Sequence, residues 1–184
     1  MRFCLYGAAS DLIDKKYITA VEELGAEMAR RGYGVVYGGG NTGSMGAIAR
    51  GVHENGGNVL GVIPRFFTER NIEELYDKND ETIYTYTLQE RKQVMEDNAD
   101  AFIIAPGGVG TYDEFFEALT LRQLERHNKP IVIFNIDGFY NPLLEMMRHA
   151  EKEKFLRDGL NDLYGVCETP REVVDYLEKC LKKA

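Results

Sequence analysis

Ala101-Phe102-Ile103-Ile104-Ala105-Pro106-Gly107-Gly108-Val109-Gly110-Thr111-Tyr112-Asp113-Glu114 is where the fold can be read. Its first five residues are an uninterrupted apolar run, the pattern of a strand covered on both faces and therefore of a parallel sheet. Proline and glycines end the strand. A helix over residues 111–126 follows, apolar on more than one face through Tyr112, Phe115, Phe116, Leu119, Leu121 and Leu124.

The same alternation continues in both directions. Residues 3–6, 34–37, 59–63, 131–134 and 164–167 read as strands. Residues 17–31, 43–54, 88–98 and 142–154 read as helices, and a last helix follows Thr169-Pro170. Residues 65–81 are irregular, with a short helix. The Thr/Tyr alternation over 82–86 fits an edge strand with one wet face. Strands alternating with helices imply right-handed crossovers, hence an α/β fold: a doubly wound, mostly parallel sheet with helices on both faces. No linker interrupts residues 1–184, which read as a single domain. In such sheets ligands bind beyond the carboxyl ends of the strands, where strand order reverses.

Composition narrows the function. The chain of 184 residues carries 22 Lys and Arg against 30 Asp and Glu, a net charge of −8. No cationic surplus is available to neutralise a nucleic-acid backbone, so nucleic acid is not an expected partner. No stretch approaches the ~18 apolar residues of a membrane span, and residues 1–7 read as a strand rather than a secretory leader. Cys4, Cys167 and Cys180 are odd in number and form no CxxC, which fits reduced thiols in a cytoplasmic protein. His53, His127 and His149 have no metal-ligand spacing.

Two loops after strands are rich in glycine: Gly38-Gly39-Gly40-Asn41-Thr42-Gly43-Ser44-Met45-Gly46 and Pro106-Gly107-Gly108-Val109-Gly110-Thr111. Each opens a helix, whose free N–H groups and positive dipole end suit a phosphate. Neither loop has a Walker lysine. Thr111-Tyr112-Asp113 breaks the dinucleotide fingerprint, so a nicotinamide oxidoreductase is the weakest reading.

Two features break local rules. Thr111-x-x-Glu114 fits a capping box, as do Thr87-x-x-Glu90 and Thr169-x-x-Glu172. Yet an anion on the second loop would repel Asp113 and Glu114, which leaves a chemical use for one of these acids equally open. Arg91 and Lys92 lie near a helix N-terminus, where the dipole disfavours cations by about 0.3–1 kcal/mol each. An anionic ligand would offset that cost; a solvated pair answering Glu90, Glu96 and Asp97 is the plainer alternative. Arg91, Met95 and Asn98 share one helical face.

These residues resemble a known family. Residues 106–114 fit PGGxGTxxE, the hallmark of the Lonely Guy (LOG) family, cytokinin riboside 5′-monophosphate phosphoribohydrolases often mislabelled lysine decarboxylases. Glu90-Arg91-Lys92 resembles the family's ERK element. Tyr37-Gly38-Gly39-Gly40 with Gly43-Ser44-Met45-Gly46 is similar to its first glycine loop, and residues 135–141 to a later strand-end segment. The resemblance implies a Rossmann-like homodimer that hydrolyses the N-glycosidic bond of a nucleoside 5′-monophosphate, a cytokinin riboside monophosphate or AMP. The products are the free base and ribose 5-phosphate. It implies Arg91 and Glu114 as the catalytic pair. It implies substrate contacts from Lys92, from Gly107, Gly108, Val109, Gly110 and Thr111, and from Thr120. It implies no metal or organic cofactor. No His-Lys pair of the kind that carries pyridoxal phosphate supports the decarboxylase label. The chain departs from the family at Leu88-Gln89, where Met-His is common. The family's upstream substrate-contacting acid falls on Glu69, Glu73 or Glu74, and none is assigned. The alternative to an enzyme is a non-catalytic nucleotide or molybdenum-cofactor carrier with similar glycine loops.

Overall fold

The computed structural model describes residues 1–70 and 72–182. Seven parallel strands form one sheet: β1 (Arg2–Tyr6), β2 (Gly34–Tyr37), β3 (Val59–Pro64), β4 (Glu81–Thr85), β5 (Ala101–Ile104), β6 (Ile131–Phe134) and β7 (Tyr164–Cys167). Their order is β4-β3-β2-β1-β5-β6-β7. The chain first winds outward from β1 to β4, then returns to place β5 on the free side of β1, with Tyr6 beside Ile104. The reversal of strand order therefore falls between β1 and β5, and the second glycine loop leaves β5 at that point.

Helices α1 (Lys15–Arg30), α2 (Gly43–Glu54) and α7 (Pro170–Leu181) cover one face. Val21, Leu24, Met28, Ile48, Val52, Val173 and Leu177 pack there on Phe3, Leu5, Val35 and Ile103. Helices α4 (Leu88–Asp97), α5 (Val109–Gln123) and α6 (Asn141–Lys152) cover the other. Met95, Phe115, Ala118, Leu144 and Met147 pack there on Cys4, Tyr6, Val36, Phe102 and Ile104. Alternate residues of each central strand thus feed two separate cores, and every residue of β5 and β6 is buried. That is why these strands read as continuous apolar runs rather than as alternations. Each large buried aliphatic or aromatic side chain contributes about 1.5–3 kcal/mol.

The irregular stretch contains the short helix α3 (Arg65–Glu69). The Thr/Tyr strand is β4, at the sheet edge, with most of its residues at least partly exposed. Among the described residues no helix is long and apolar enough to cross a membrane.

Candidate active site

The reversal point opens into a cavity of about 210 Å3 between the ends of β1 and β2 and the first turns of α4 and α5; Tyr6, Gly38, Glu73, Arg91, Gly110 and Glu114 are among its walls.

Arg91 enters from the fourth residue of α4. The Thr87 hydroxyl accepts from the Glu90 N–H at 3.0 Å, and the Glu90 carboxylate accepts from the Tyr86 N–H at 2.7 Å. This cap fixes the first turn and directs Arg91 inward. The side chain is buried. Its Nε donates to the Val62 carbonyl at 3.1 Å and its Nη2 to the Gly38 carbonyl at 2.9 Å. The Phe67 ring covers the guanidinium at 5.4 Å. One carbonyl of β3 and one of the loop after β2 thus hold the charge in place, and its remaining donors stay available to a ligand. The solvated-pair reading of Arg91 is corrected: burial and these bonds replace solvent.

Glu114 comes from the second turn of α5. The helix begins two residues earlier than its sequence pattern predicts, at Val109, with Gly108 as its cap. Thr111 is therefore its third residue and buried, and the capping-box reading of Glu114 is overturned. A complete box does form at Thr169 and Glu172. The half-buried Glu114 carboxyl is pushed by burial up to about 7; Arg91 pulls it down, and Asp113 pushes it further up.

A glycine cap has consequences for the loop. It offers no side-chain acceptor to the N–H groups of the helix start. The N–H groups of Val109, Gly110 and Thr111 precede the first helical bond, from Tyr112 N–H to the Gly108 carbonyl at 3.0 Å. Gly108, Gly110 and Thr111 line the cavity; Gly107 lies behind them, on an adjoining apolar hollow with Tyr17 and Phe139. The Val109 side chain projects outward, 83% exposed. The loop is braced from β6. Asn135 Oδ1 accepts from the Tyr140 N–H at 2.7 Å, and the Tyr140 hydroxyl donates to the Ala105 carbonyl at 2.7 Å.

The first glycine loop differs. Two N–H groups of its first helical turn already have partners in the chain: the Gly43 N–H donates to Asp11 Oδ1 at 2.7 Å and the Met45 N–H to the Ala8 carbonyl at 3.3 Å. An acid of the chain itself occupies the place an anion would take there. Gly43 has φ of +58°, the left-handed region that glycine enters without strain.

Glu73 is the acid that reaches the cavity. Residues 72–76 run antiparallel against the first glycine loop: the Asn41 N–H donates to the Glu74 carbonyl at 2.8 Å and the Tyr76 N–H to the Gly39 carbonyl at 3.0 Å. Glu73 Oε2 is buried and meets no protein partner among the described residues. Burial raises its pKa, and Arg91 opposes the rise. Glu69 and Glu74 are exposed. Glu74 Oε1 accepts from Asn41 Nδ2 at 2.7 Å.

Two residues singled out by resemblance lie elsewhere. Lys92 points between α4 and α5, where it pairs with Asp113 at 2.9 Å and with Glu117. Thr120 sits on the outer face of α5 beside Phe116 and Leu121. Sequence reasoning missed Tyr6 as a cavity wall, its only signal being its place at the carboxyl end of β1; Met45, in the first turn of α2, also lines the cavity and was marked only as part of the first glycine loop. Among the described residues no cluster of His, Cys, Asp and Glu could hold a metal ion. His127 has a structural place, bonded to the Ala118 carbonyl at 3.0 Å.

A cation and a carboxylate therefore face one cavity beside a helix start that can seat an anion. A family model described as possible lysine decarboxylase matches residues 45–177. The chain is 38% identical over 178 residues to the cytokinin riboside 5′-monophosphate phosphoribohydrolase LOG of Oryza sativa subsp. japonica, covering 97% of this chain and 73% of that one. It is 36% identical to LOG5 of Arabidopsis thaliana, covering 96% and 77%. Among solved structures, a molybdenum cofactor carrier protein from Chlamydomonas reinhardtii superposes with a TM-score of 0.74 at 22% identity, covering 98% of each chain, a likeness of fold. On this evidence the chain belongs to the LOG family.

Proposed function

We propose that this protein hydrolyses the N-glycosidic bond of a nucleoside 5′-monophosphate, a cytokinin riboside monophosphate or AMP, to the free base and ribose 5-phosphate. The observation that carries this reading is the meeting of Arg91 and Glu114 in one cavity beside the glycine-capped start of α5. The similarity to named phosphoribohydrolases over 97% of the chain supports it.

Bond cleavage leaves positive charge on the ribose, in an oxocarbenium-like state. The Glu114 carboxylate stabilises that charge and takes a proton from the attacking water. A carboxyl that titrates near neutrality is suited to accept and then return that proton. The amides of Gly108, Val109, Gly110 and Thr111 hold the 5′-phosphate, so binding energy far from the reacting carbon orients it. Arg91, fixed by the Val62 and Gly38 carbonyls, meets negative charge on the phosphate or the departing base.

The protein is further taken to be a single-domain, cytoplasmic homodimer. The outer face of α5, where Phe116 and Leu121 flank Thr120, is the surface assigned to the partner copy. Sedimentation equilibrium tests that assignment; a monomer at micromolar concentration rejects it.

The test of activity is incubation with AMP and with isopentenyl-AMP, followed by chromatography for base and ribose 5-phosphate. Base release is expected. Tight nucleotide binding without release would favour a carrier instead.

A further inference from the structure

Lys92 follows Arg91 on α4, and its Nζ pairs with Asp113 Oδ2 at 2.9 Å and with Glu117 Oε2, both on α5. Asp113 precedes Glu114, and Glu117 follows it by about one turn. The tie therefore joins the two short backbone segments that carry the proposed catalytic pair. Among the described residues no other ion pair or side-chain hydrogen bond links α4 to α5. Arg91 itself donates to the Val62 and Gly38 carbonyls and forms no ion pair with Glu114 among the described residues, so neither of these groups holds the other in place. The Lys92 side chain is only 14% exposed, and Glu117 Oε2 is a buried atom. Burial alone would favour loss of the ammonium proton; the Glu117 and Asp113 carboxylates outweigh it and keep the charge. To reach a ligand in the cavity, this lysine would have to break both pairs.

Resting on the proposed hydrolysis, we infer that Lys92 is a positioning residue: through Asp113 and Glu117 it ties α5 to α4 and so sets the spacing of Arg91 and Glu114 across the cavity, without touching the nucleotide. The other contacts of α5 with the sheet, made by Phe115, Ala118 and Leu119, are apolar and carry no direction of their own. An ion pair anchored on both helices supplies that direction. The reaction depends on it, because the carboxylate must stand at the anomeric carbon while the guanidinium meets the phosphate or the base. A misplacement of about 1 Å can cost about a hundredfold in rate. The charged groups facing Glu114 are Arg91 and Lys92 from α4, Asp113 beside it and Glu73 from the 72–76 segment. Lys92 pulls the Glu114 carboxyl down and Asp113 pushes it up, so a change at either residue moves the titration as well as the geometry. The two effects separate at high pH, where Glu114 is ionised in any case.

The test is a set of variants assayed with AMP at about pH 9. Lys92→Met should lower kcat at least about tenfold while KM stays within about twofold. Asp113→Asn combined with Glu117→Gln keeps the lysine and removes its partners; both acids are partly exposed, so the fold tolerates the change. Its kcat should fall by a similar factor, again at constant KM. Lys92→Met added to that double variant should cost less than about twofold more, because the three residues act as one unit. Lys92→Arg, which can still reach both carboxylates, should recover at least about a third of the wild-type kcat. A double variant with kcat within about twofold of wild type overturns the inference, as does a further loss of about tenfold on adding Lys92→Met. A crystal structure with AMP gives a second readout: Nζ still on Asp113 and Glu117 supports the assignment, and Nζ within about 3.2 Å of a nucleotide atom overturns it. Wild-type protein that releases no base from any 5′-monophosphate overturns the activity itself, a distinct outcome.

Discussion

Arg91 lies directly across Gly38: its Nη2 bonds the Gly38 carbonyl at 2.9 Å, and a Cβ on Gly38 would stand 1.9 Å from that nitrogen. The same Cβ would come within 2.9 Å of the Met45 sulfur. Glycine is needed here for space, because φ at Gly38 is not in the left-handed region. Gly38→Ala must expel the guanidinium or distort the strand end. Overpacking of this kind costs about 1–3 kcal/mol. Thermal unfolding should show a lower melting temperature, and kcat/KM for AMP should fall at least about tenfold, the equivalent of 1.4 kcal/mol. Unchanged kinetics would show that Arg91 can leave its place without consequence.

Arg91→Lys tests whether position or charge matters. One ammonium cannot span the Val62 and Gly38 carbonyls as the planar guanidinium does. An unsatisfied buried carbonyl costs about 1–3 kcal/mol. The lysine variant should therefore lose stability together with most of its turnover. Retention of more than half the wild-type kcat would mean that a mobile cation suffices.

Glu114 sets a pH dependence whose sign is fixed by its environment. Burial holds the carboxyl near 7, so the carboxylate needed to take a water proton is lost as pH falls through neutrality. The rate should drop about tenfold for each pH unit below that midpoint. Glu114→Gln should bind AMP with affinity close to wild type and release no base. A wild-type acid limb centred near 4.5, or turnover by the glutamine variant, would remove Glu114 from the reaction.

The fold was legible because its central strands feed cores on both faces and so appear as unbroken apolar runs, with glycines at their ends. Arg91 and Glu114 were legible as residues but not as neighbours: they sit on different helices, and only the return of β5 to β1 brings them together. Glu73 could not be chosen from Glu69 and Glu74, because residues 72–76 form no helix or strand of their own. Their placement depends on backbone bonds to Gly39 and Asn41, contacts between segments far apart in sequence. The capping-box pattern misled at Thr111 for a related reason: Gly108 took the cap, leaving the loop's amides without a side-chain acceptor. The box pattern alone does not tell a cap from a site.

Glu96 offers a test of electrostatics away from the cavity. It is buried on α4 with Oε1 unpartnered among the described residues. Burial, and then the charge of Glu117 on α5, push its carboxyl up to about 7, with Lys129 opposing. A folded-state pKa above the unfolded value of 4.5 means that the folded protein binds this proton more tightly. Stability from this group is present below about 4.5 and declines as pH rises through about 7. Glu96→Gln keeps the shape and removes the charge, so the decline should disappear. By urea unfolding the variant should match wild type near pH 4.5 and exceed it by about 3 kcal/mol at pH 8. AMP hydrolysis at pH 8 should be unaltered, since Glu96 is not among the cavity walls. A stability difference that is the same at both pH values would mean that Glu96 is ionised in the folded state throughout, with Lys129 rather than burial dominating its surroundings.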